Sequence, residues 1–420
     1  MTATGVFEDR ESVVRSYCRG WPVVFGRALG SHMHDESGRP YLDFFAGAGT
    51  LNYGHNNPRI KAELLSYLAD DNIVHSLDMY TVAKREFLST FHEVVLAPRG
   101  LDYKVQFPGP AGTNAVEAAL KLARKYTGRR TVVSFTNAFH GMTLGALAVT
   151  GNAMKRAGAG VPLEHTVTMP YENYLGEGTG DVGGLALLEG MLRDSGSGLD
   201  KPAAVIVETV QGEGGLNAAS APWLRELDAL CKRHGILLIV DDVQMGVGRT
   251  GAFFSFEEAG ITPDIVCLSK SLSGLGLPMA LTLFRGGLDI WEPGEHNGTF
   301  RGFNPAFVTA TAALGYWRDD AFEKETLAKG EQVGRALAGI AEARPGSVSG
   351  LRGRGLARGI VLADPHQAAA VCEEAFRRGL LMETSGPKGE VVKLMPPLTT
   401  TAEELTEGLE ILADSLDAVL

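Results

Sequence analysis

The chain has 420 residues, of which 45% are hydrophobic, and its formal net charge is −11. This length allows two or three domains with a sizeable core, and the acidic balance argues against nucleic acid or an anionic membrane as the main partner. Neither a membrane-spanning apolar run nor a secretory signal is visible, and the scattered cysteines and histidines show no zinc spacing, so we expect a cytoplasmic protein with free thiols and no metal site.

The predicted elements begin with short N-terminal strands around the polar turn DESGRP. From about residue 105, apolar strand-like runs alternate with amphipathic runs that close on glycine, as helices often do. This alternation predicts a mostly parallel sheet with helices on both faces. The predicted strands are 131–136, 203–210, 236–242, 264–270 and 279–284, and the predicted helices are 112–128 and 221–235.

After about residue 305 the pattern becomes mainly helical. Helical stretches at 366–381 and 401–420 lie on either side of a strand-like stretch at 390–397, which indicates a smaller α+β domain. In parallel sheets, binding sites gather beyond the carboxyl ends of the strands, so the polar residues that follow each strand are the candidates for function.

Two of these candidates suit an amine and a phosphate site. Lys270 ends an apolar strand, where it is either a side chain that reaches water or a partly desolvated amine with a lowered pKa that condenses with a carbonyl. Gly112 and Thr113 stand where a loop enters a helix, and the free N–H groups at a helix start favour a phosphate. A simple N-cap by Thr113 or Asn114 is the alternative.

Two others suit a planar, charged ligand. Phe139 and His140 follow a strand, where the phenylalanine ring either lies against a planar ligand or packs in the core. Asp241 and Asp242 close a buried strand, where an unpaired charge costs several kcal/mol unless it meets a partner such as a protonated ring nitrogen. Because side chains alternate along a strand, only one of the two acids can face the same ligand. Together, these groups are what a pyridoxal phosphate site requires.

On these residues the chain resembles the class III aminotransferases, which have pyridoxal phosphate fold type I. The resemblance covers nearly the whole chain, and DDVQMGVGRTG, CLSKSLSGLGLP, ETVQGEGG, FHG, GTNAVE and GTFRGFNP follow the family's motifs in order. It implies an α/β fold with a mostly parallel seven-stranded sheet in a large cofactor-binding domain (61–305). The smaller α+β domain would combine an N-terminal segment (1–60) with the C-terminal part (306–420).

The resemblance also implies roles for single residues. Lys270 would carry pyridoxal phosphate and move the proton, Asp241 would pair with its ring nitrogen, and Phe139 would stack on the ring. The charge of Asp241 would then be compensated only when cofactor is bound, whereas Asp242 would face the other way and have a structural partner. The further cofactor residues implied are Gly112 and Thr113 at the phosphate, His140, Glu208, Gln244 at the ring oxygen, and Thr299, which would reach the partner subunit's phosphate in a homodimer.

Several stretches, among them residues 43–58 and 75–88, resemble one group of the family. Its members transfer the amino group of L-glutamate to L-aspartate 4-semialdehyde, giving L-2,4-diaminobutyrate and 2-oxoglutarate, the first step of ectoine biosynthesis. Relatives handle two unlike substrates with a glutamate that masks an arginine in one half-reaction. Glu213 matches that glutamate, but Lys393 stands at the arginine position and would bind a carboxylate less strictly. A surface lysine at a strand end is the other interpretation of Lys393.

Other functions stay open at this stage. A transaminase of ornithine, putrescine or 4-aminobutyrate, or of diaminobutyrate for siderophores or diamines, would have the same cofactor residues. Lys393, and Ala48 where ornithine enzymes carry a substrate-binding tyrosine, argue against a plain ornithine enzyme. An aminomutase and a cofactor-binding protein without turnover are alternatives from other classes. Members of the resembled group can also depend on potassium, for which the sequence shows no legible ligand set.

Overall fold

The structure, a computed structural model, describes residues 4–176 and 182–420. Within these residues the largest sheet has seven strands, and its neighbours run parallel except at Leu281–Arg285, which is antiparallel to both adjacent strands. The predicted mostly parallel sheet is therefore confirmed. In spatial order its strands are Tyr103–Gln106, Leu281–Arg285, Ile265–Leu268, Leu237–Asp241, Ala204–Val207, Val132–Phe135 and Thr166–Met169.

Side chains alternate between the two faces of the sheet along the central strand Leu237–Asp241, so each face packs against a different helix. Leu238 and Val240 pack into a core with the helix Ala221–His234, whereas Leu237 and Ile239 pack on the opposite face with the helix Gly112–Thr127. Since successive side chains point to opposite faces, the next residue, Asp241, lies on the face of the helix Gly112–Thr127. Asp242 lies on the other face.

Both predicted helices end as their glycines indicate. Gly128 and Gly235 follow the last helical residues in left-handed conformation, with φ of 68° and 57°. Glycine adopts this conformation without the steric cost that a Cβ brings.

The N-terminal strands pair with a segment from the far end of the chain. The strands Phe25–Leu29, His32–Asp35 and Pro40–Asp43 form an antiparallel set around the predicted turn, and Pro40–Asp43 also pairs in parallel with Leu380–Leu381. The domain boundaries at residues 60 and 305 stay predictions.

The C-terminal part contains more strand than predicted. Its sheet has the spatial order Val348–Arg354, Ala357–Leu362, Val391–Leu394 and Glu383–Ser385. The strand within 390–397 is confirmed, but the first two strands were not predicted, because glycines interrupt their alternating pattern. The predicted helix over 366–381 is wrong at its end. The helix stops at Arg377, and Gly379, at φ 94°, leads into the strand Leu380–Leu381.

The other helices surround these sheets, and no described helix is long and apolar enough to cross a membrane. A short two-stranded pairing joins Val210–Gln211 to Asn217–Ala218. The remaining α-helices are Gly5–Arg10, Tyr17–Gly20, Ala46–Gly49, Pro58–Ala69, Val82–Phe91, Leu144–Ala148, Ala153–Ala157, Val182–Arg193, Asn304–Leu314, Ala321–Glu342, Pro365–Arg377 and Ala402–Val419.

Candidate active site

A cavity of about 280 Å³ lies beyond the carboxyl ends of the parallel strands and beside the start of the helix Gly112–Thr127. It brings together most of the residues that the sequence predicted for cofactor and substrate. Thr299 does not line it, since it lies exposed in the turn Thr299–Arg301. Lys393 does not line it either and lies behind Glu213. The predicted residues that line the cavity are Gly112, Thr113, Phe139, His140, Glu208, Glu213, Asp241, Gln244 and Lys270.

Lys270 follows the strand Ile265–Leu268 and extends into this cavity. Its backbone has a φ of 48°, a left-handed conformation that is costly for a residue with a side chain and is common at functional sites. Burial lowers the pKa of its amine below the usual range. A larger share of Lys270 is therefore unprotonated near neutral pH, which suits both attack on a carbonyl and proton transfer.

Asp241 has partners within the protein. Its Oδ2 lies 2.7 Å from Nδ1 of His140, and its Oδ1 accepts the backbone N–H of Val243 at 3.1 Å. The expectation that its charge is compensated only by bound cofactor is therefore wrong. Burial alone would lower the pKa of His140, but the hydrogen bond and charge of Asp241 raise it.

Asp242 has the structural partner that was expected. Its carboxylate accepts the backbone N–H of Ser255 at 3.0 Å and also the Ser255 hydroxyl. Burial raises the pKa of Asp242 to about 7, although these hydrogen bonds oppose the shift. The two neighbouring acids thus lie in separate environments, as strand alternation requires.

The start of the helix Gly112–Thr127 offers a cradle that could hold an anion. The first N–H groups of a helix lack intrahelical partners and attract phosphate. A Cβ on Gly112 would lie 2.7 Å from Cγ1 of Val243, so a side chain at this position would collide with Val243. Thr113 Oγ1 lies 2.6 Å from Thr143 Oγ1, which holds the threonine at the edge of the cradle.

Phe139 is half-buried and lines the cavity. Its backbone N–H donates to Oε2 of Glu208 at 2.9 Å, and Nζ of Lys155 lies 4.1 Å from the centroid of its ring. Burial raises the pKa of Glu208 to about 8, although the nearby His140 opposes this shift. Glu208 therefore supports the segment that presents the ring, and its raised pKa favours the protonated form of its carboxyl group.

At the outer end of the site, Lys393 has no exposed side-chain surface, so its interpretation as a surface lysine is wrong. Its Nζ lies 2.9 Å from Oε1 of Glu213, and Nε2 of Gln244 donates to the same oxygen at 3.3 Å and to the carbonyl of Ala48 at 3.0 Å. Burial alone would raise the pKa of Glu213, but the charges of Lys393 and Lys270 lower it. The predicted contact between Glu213 and position 393 is present.

Sequence reasoning missed Glu383, whose Oε1 lies 2.8 Å from Nζ of Lys393. Glu383 and Lys393 are direct neighbours across the antiparallel strands Glu383–Ser385 and Val391–Leu394. The signal for this pair was the glycine-rich turn SGPKGE before the predicted strand, because a hairpin closed there brings the two residues opposite each other.

The residues present fit pyridoxal phosphate. They supply an amine for its aldehyde, helix N–H groups for its phosphate, an aromatic ring for its face and a carboxylate for its ring nitrogen. One observation is independent of these roles. The buried Nε2 of the cavity-lining His140 has no hydrogen-bond partner among the described residues, as expected where a further polar group belongs.

Comparison with known proteins agrees with this geometry. The family model Aminotransferase class-III matches residues 16–416. The chain therefore belongs to the class III aminotransferases and is a pyridoxal-phosphate-dependent enzyme.

Within that family, the chain is similar to proteins named diaminobutyrate–2-oxoglutarate transaminase. One from Streptomyces anulatus is 65% identical over 98% of this chain and 97% of its own length. Another, from Halalkalibacterium halodurans, is 58% identical over 100% of this chain and 97% of its own length. Among solved structures, the ornithine aminotransferase of Toxoplasma gondii ME49 superimposes with a TM-score of 0.86 at 26% identity, covering 99% of this chain and 94% of that one.

Proposed function

We propose that the enzyme transfers the amino group from C2 of L-glutamate to the terminal aldehyde carbon of L-aspartate 4-semialdehyde. Oxygen moves in the opposite direction, so the products are 2-oxoglutarate and L-2,4-diaminobutyrate. The observation that carries this proposal is the 65% identity, over 98% of the chain, to a diaminobutyrate–2-oxoglutarate transaminase. The reaction would be the first step of ectoine biosynthesis.

At the inner end of the site, the proposed roles follow from position and charge. When bound, pyridoxal phosphate supplies a sink for the electrons released as the substrate loses a proton. Nζ of Lys270 would take that proton and deliver it to the cofactor carbon bonded to the substrate nitrogen, since its lowered pKa suits both steps. Asp241, oriented by His140 at 2.7 Å, holds a proton on the ring nitrogen of the cofactor.

The remaining cavity residues bind and orient the cofactor in this proposal. Gly112 and Thr113 hold the phosphate, and Phe139 covers one face of the ring. Gln244 lies near the ring oxygen, while Glu208 supports Phe139 through its backbone N–H.

At the outer end, Glu213 and Lys393 form the proposed substrate contacts. While Glu213 stays on Lys393, no positive charge is released for a carboxylate on the reacting carbon, which suits the semialdehyde because its reacting carbon carries none. When Glu213 turns away, Lys393 can receive the carboxylate on the reacting carbon of glutamate. The site thereby accommodates two substrates that react at different carbons.

We further propose a homodimer in the cytoplasm. The exposed Thr299 would contribute to the phosphate site of the partner subunit, as the family resemblance implies. Dependence on potassium stays a prediction.

The reverse reaction tests the substrate. L-2,4-diaminobutyrate, ornithine and 4-aminobutyrate are each paired with 2-oxoglutarate, and kcat/KM is compared. The highest value is expected for L-2,4-diaminobutyrate, and a preference for ornithine would overturn the substrate proposal. Loss of the visible absorbance of bound cofactor in Lys270→Ala tests the site separately.

A further inference from the structure

The buried ammonium group of Lys393 has two carboxylate neighbours rather than one. Oε1 of Glu213 lies 2.9 Å away and Oε1 of Glu383 lies 2.8 Å away, and the lysine side chain has no exposed surface. A simple exchange between one acid and one cation would require only the first of these acids. Glu383 therefore needs its own explanation.

These three side chains lie where the active site opens outward. Glu213 lines both the inner cavity and an outer cavity of about 770 Å³. Glu383 lines the outer cavity, which it shares with Lys155 and Tyr17. A ligand whose reacting end lies at Lys270 would extend past Glu213 toward Glu383.

The charges of the three groups do not balance. One ammonium faces two carboxylates, so the fully ionised set has a surplus of one negative charge. Burial raises the pKa of Glu383, and although Lys393 opposes the shift, the charge of Glu213 adds to it. A second cation beside Glu383 would offset this cost.

The hydrogen bonding of Glu383 also favours a second cation beside it. Its Oε1 lies 2.8 Å from Nζ of Lys393 and has no other partner among the described residues. A carboxylate oxygen can accept a second hydrogen bond, and an ammonium group carries three donors. Lys155, in the same cavity, offers a positive charge for a carboxylate on the same ligand.

We propose that Glu383 is a specificity-determining residue that receives the unreacting α-ammonium group of L-2,4-diaminobutyrate or of L-aspartate 4-semialdehyde. The inference rests on the proposed function, since both compounds carry this second charged nitrogen. The surplus negative charge would then be neutralised by the α-ammonium group of an amino acid that reacts at its terminal carbon.

The test uses two substrates that differ only in that group. 4-Aminobutyrate is L-2,4-diaminobutyrate with hydrogen in place of the α-ammonium, and both keep the carboxylate and the reacting amine. The kcat/KM of each with 2-oxoglutarate is measured in the holoenzyme for wild type, Glu383→Gln and Glu373→Gln. Glu373 is the matched control, because it lines the same outer cavity but pairs with Arg377 outside the set of three.

In Glu383→Gln, the preference for L-2,4-diaminobutyrate over 4-aminobutyrate should fall on the order of tenfold or more, through KM rather than kcat. The KM for glutamate should not rise, and Glu373→Gln should keep the wild-type ratio. If Glu383→Gln fails to fold or to bind cofactor, Glu383→Asp carries the test, because its shorter reach should lower the same ratio.

The outcomes separate the two proposals. An unchanged ratio in a Glu383 variant that retains cofactor absorbance overturns this inference and leaves the proposed function standing. A wild-type enzyme that ignores L-2,4-diaminobutyrate while turning over another amine overturns the proposed function, and this inference with it.

Discussion

Each end of the active site contains a buried carboxylate, and the two carboxylates are stabilised by different kinds of partner. At the inner end, Asp241 lies at the end of a central strand and is held by the backbone N–H of Val243 and by His140. At the outer end, Glu213 is held by Lys393, which also meets Glu383. A backbone N–H and the His140 side chain hold the first acid, whereas the side chains of Lys393 and Gln244 hold the second.

This difference matches the division of work in the proposed reaction. The cofactor is the same in every turnover, so its acid benefits from a rigid support on the sheet. The substrates alternate, so the outer acid needs a partner from which it can separate.

The largest expected effect comes from breaking the inner end. Asp241→Asn should lower kcat on the order of 10²–10³-fold, because an amide does not stabilise a proton on the ring nitrogen. Single-turnover kinetics with glutamate and the absorbance of bound cofactor measure this loss.

Asp242→Asn is the matched control, at the residue that directly follows the strand. It should retain most activity and lose about 1–3 kcal/mol of unfolding free energy, because one carboxylate oxygen of the Ser255 contact is replaced. If the two effects were exchanged, the assignment of the acids would be off by one residue.

A second prediction breaks the outer end. Lys393→Met fills a similar volume but leaves Glu213 and Glu383 buried without their cation, so the unfolding free energy at pH 8 should drop by about 3–5 kcal/mol. Urea denaturation measures it, and the deficit should shrink as the pH is lowered and the carboxylates take up protons. Lys155→Met, a half-buried lysine over the ring of Phe139, should cost about 1 kcal/mol or less. Equal stability of Lys393→Met and wild type would show that the outer acids do not depend on this lysine.

A pH-dependent effect on stability is expected at the inner end. The folded state raises the pKa of Glu208 from its usual 4.5 to about 8, so the folded protein keeps a proton that the unfolded chain releases. The stability from this proton is complete below pH 4.5 and is lost as pH rises through about 8. Glu208→Gln, with cofactor removed, should therefore lose less stability than wild type between pH 5 and 9, by about 4 kcal/mol, since the two pKa values differ over about three pH units of this range at ~1.4 kcal/mol each. Parallel stability–pH curves for the two proteins would contradict the protonated state of Glu208.

Prediction from sequence succeeded where local pattern and long-range structure agree. Apolar runs such as 236–242 are buried strands, and glycines such as Gly128 and Gly235 end their helices. The strands Val348–Arg354 and Ala357–Leu362 were not predicted, because glycines interrupt their alternation of apolar and polar residues. The end of the helix predicted over 366–381 failed because Leu380–Leu381 pairs with an N-terminal strand that lies far away in sequence.

The contacts of Arg249, in the glycine-rich motif, could not be predicted from the sequence either. Its side chain is completely buried, and it donates to the carbonyls of Leu356 and Pro396. These acceptors follow it by more than a hundred residues, so no local pattern predicts the contact. The motif around Asp241 thus connects the large sheet to the C-terminal part of the chain as well as lining the cofactor cavity.

The sequence by itself determined the family, the alternation of strands and helices in the central part of the chain, and the lysine, the acid and the helix start that line the inner cavity. These follow from contiguous motifs and from periodicity, which act over a few residues. Only the tertiary structure decided that His140 already pairs with Asp241 and that Glu383 shares Lys393 with Glu213. His140 and Asp241 are 101 residues apart, Glu213 and Lys393 are 180 residues apart, and Glu383 faces Lys393 across a hairpin. Strand register and burial, rather than spacing along the chain, set these distances.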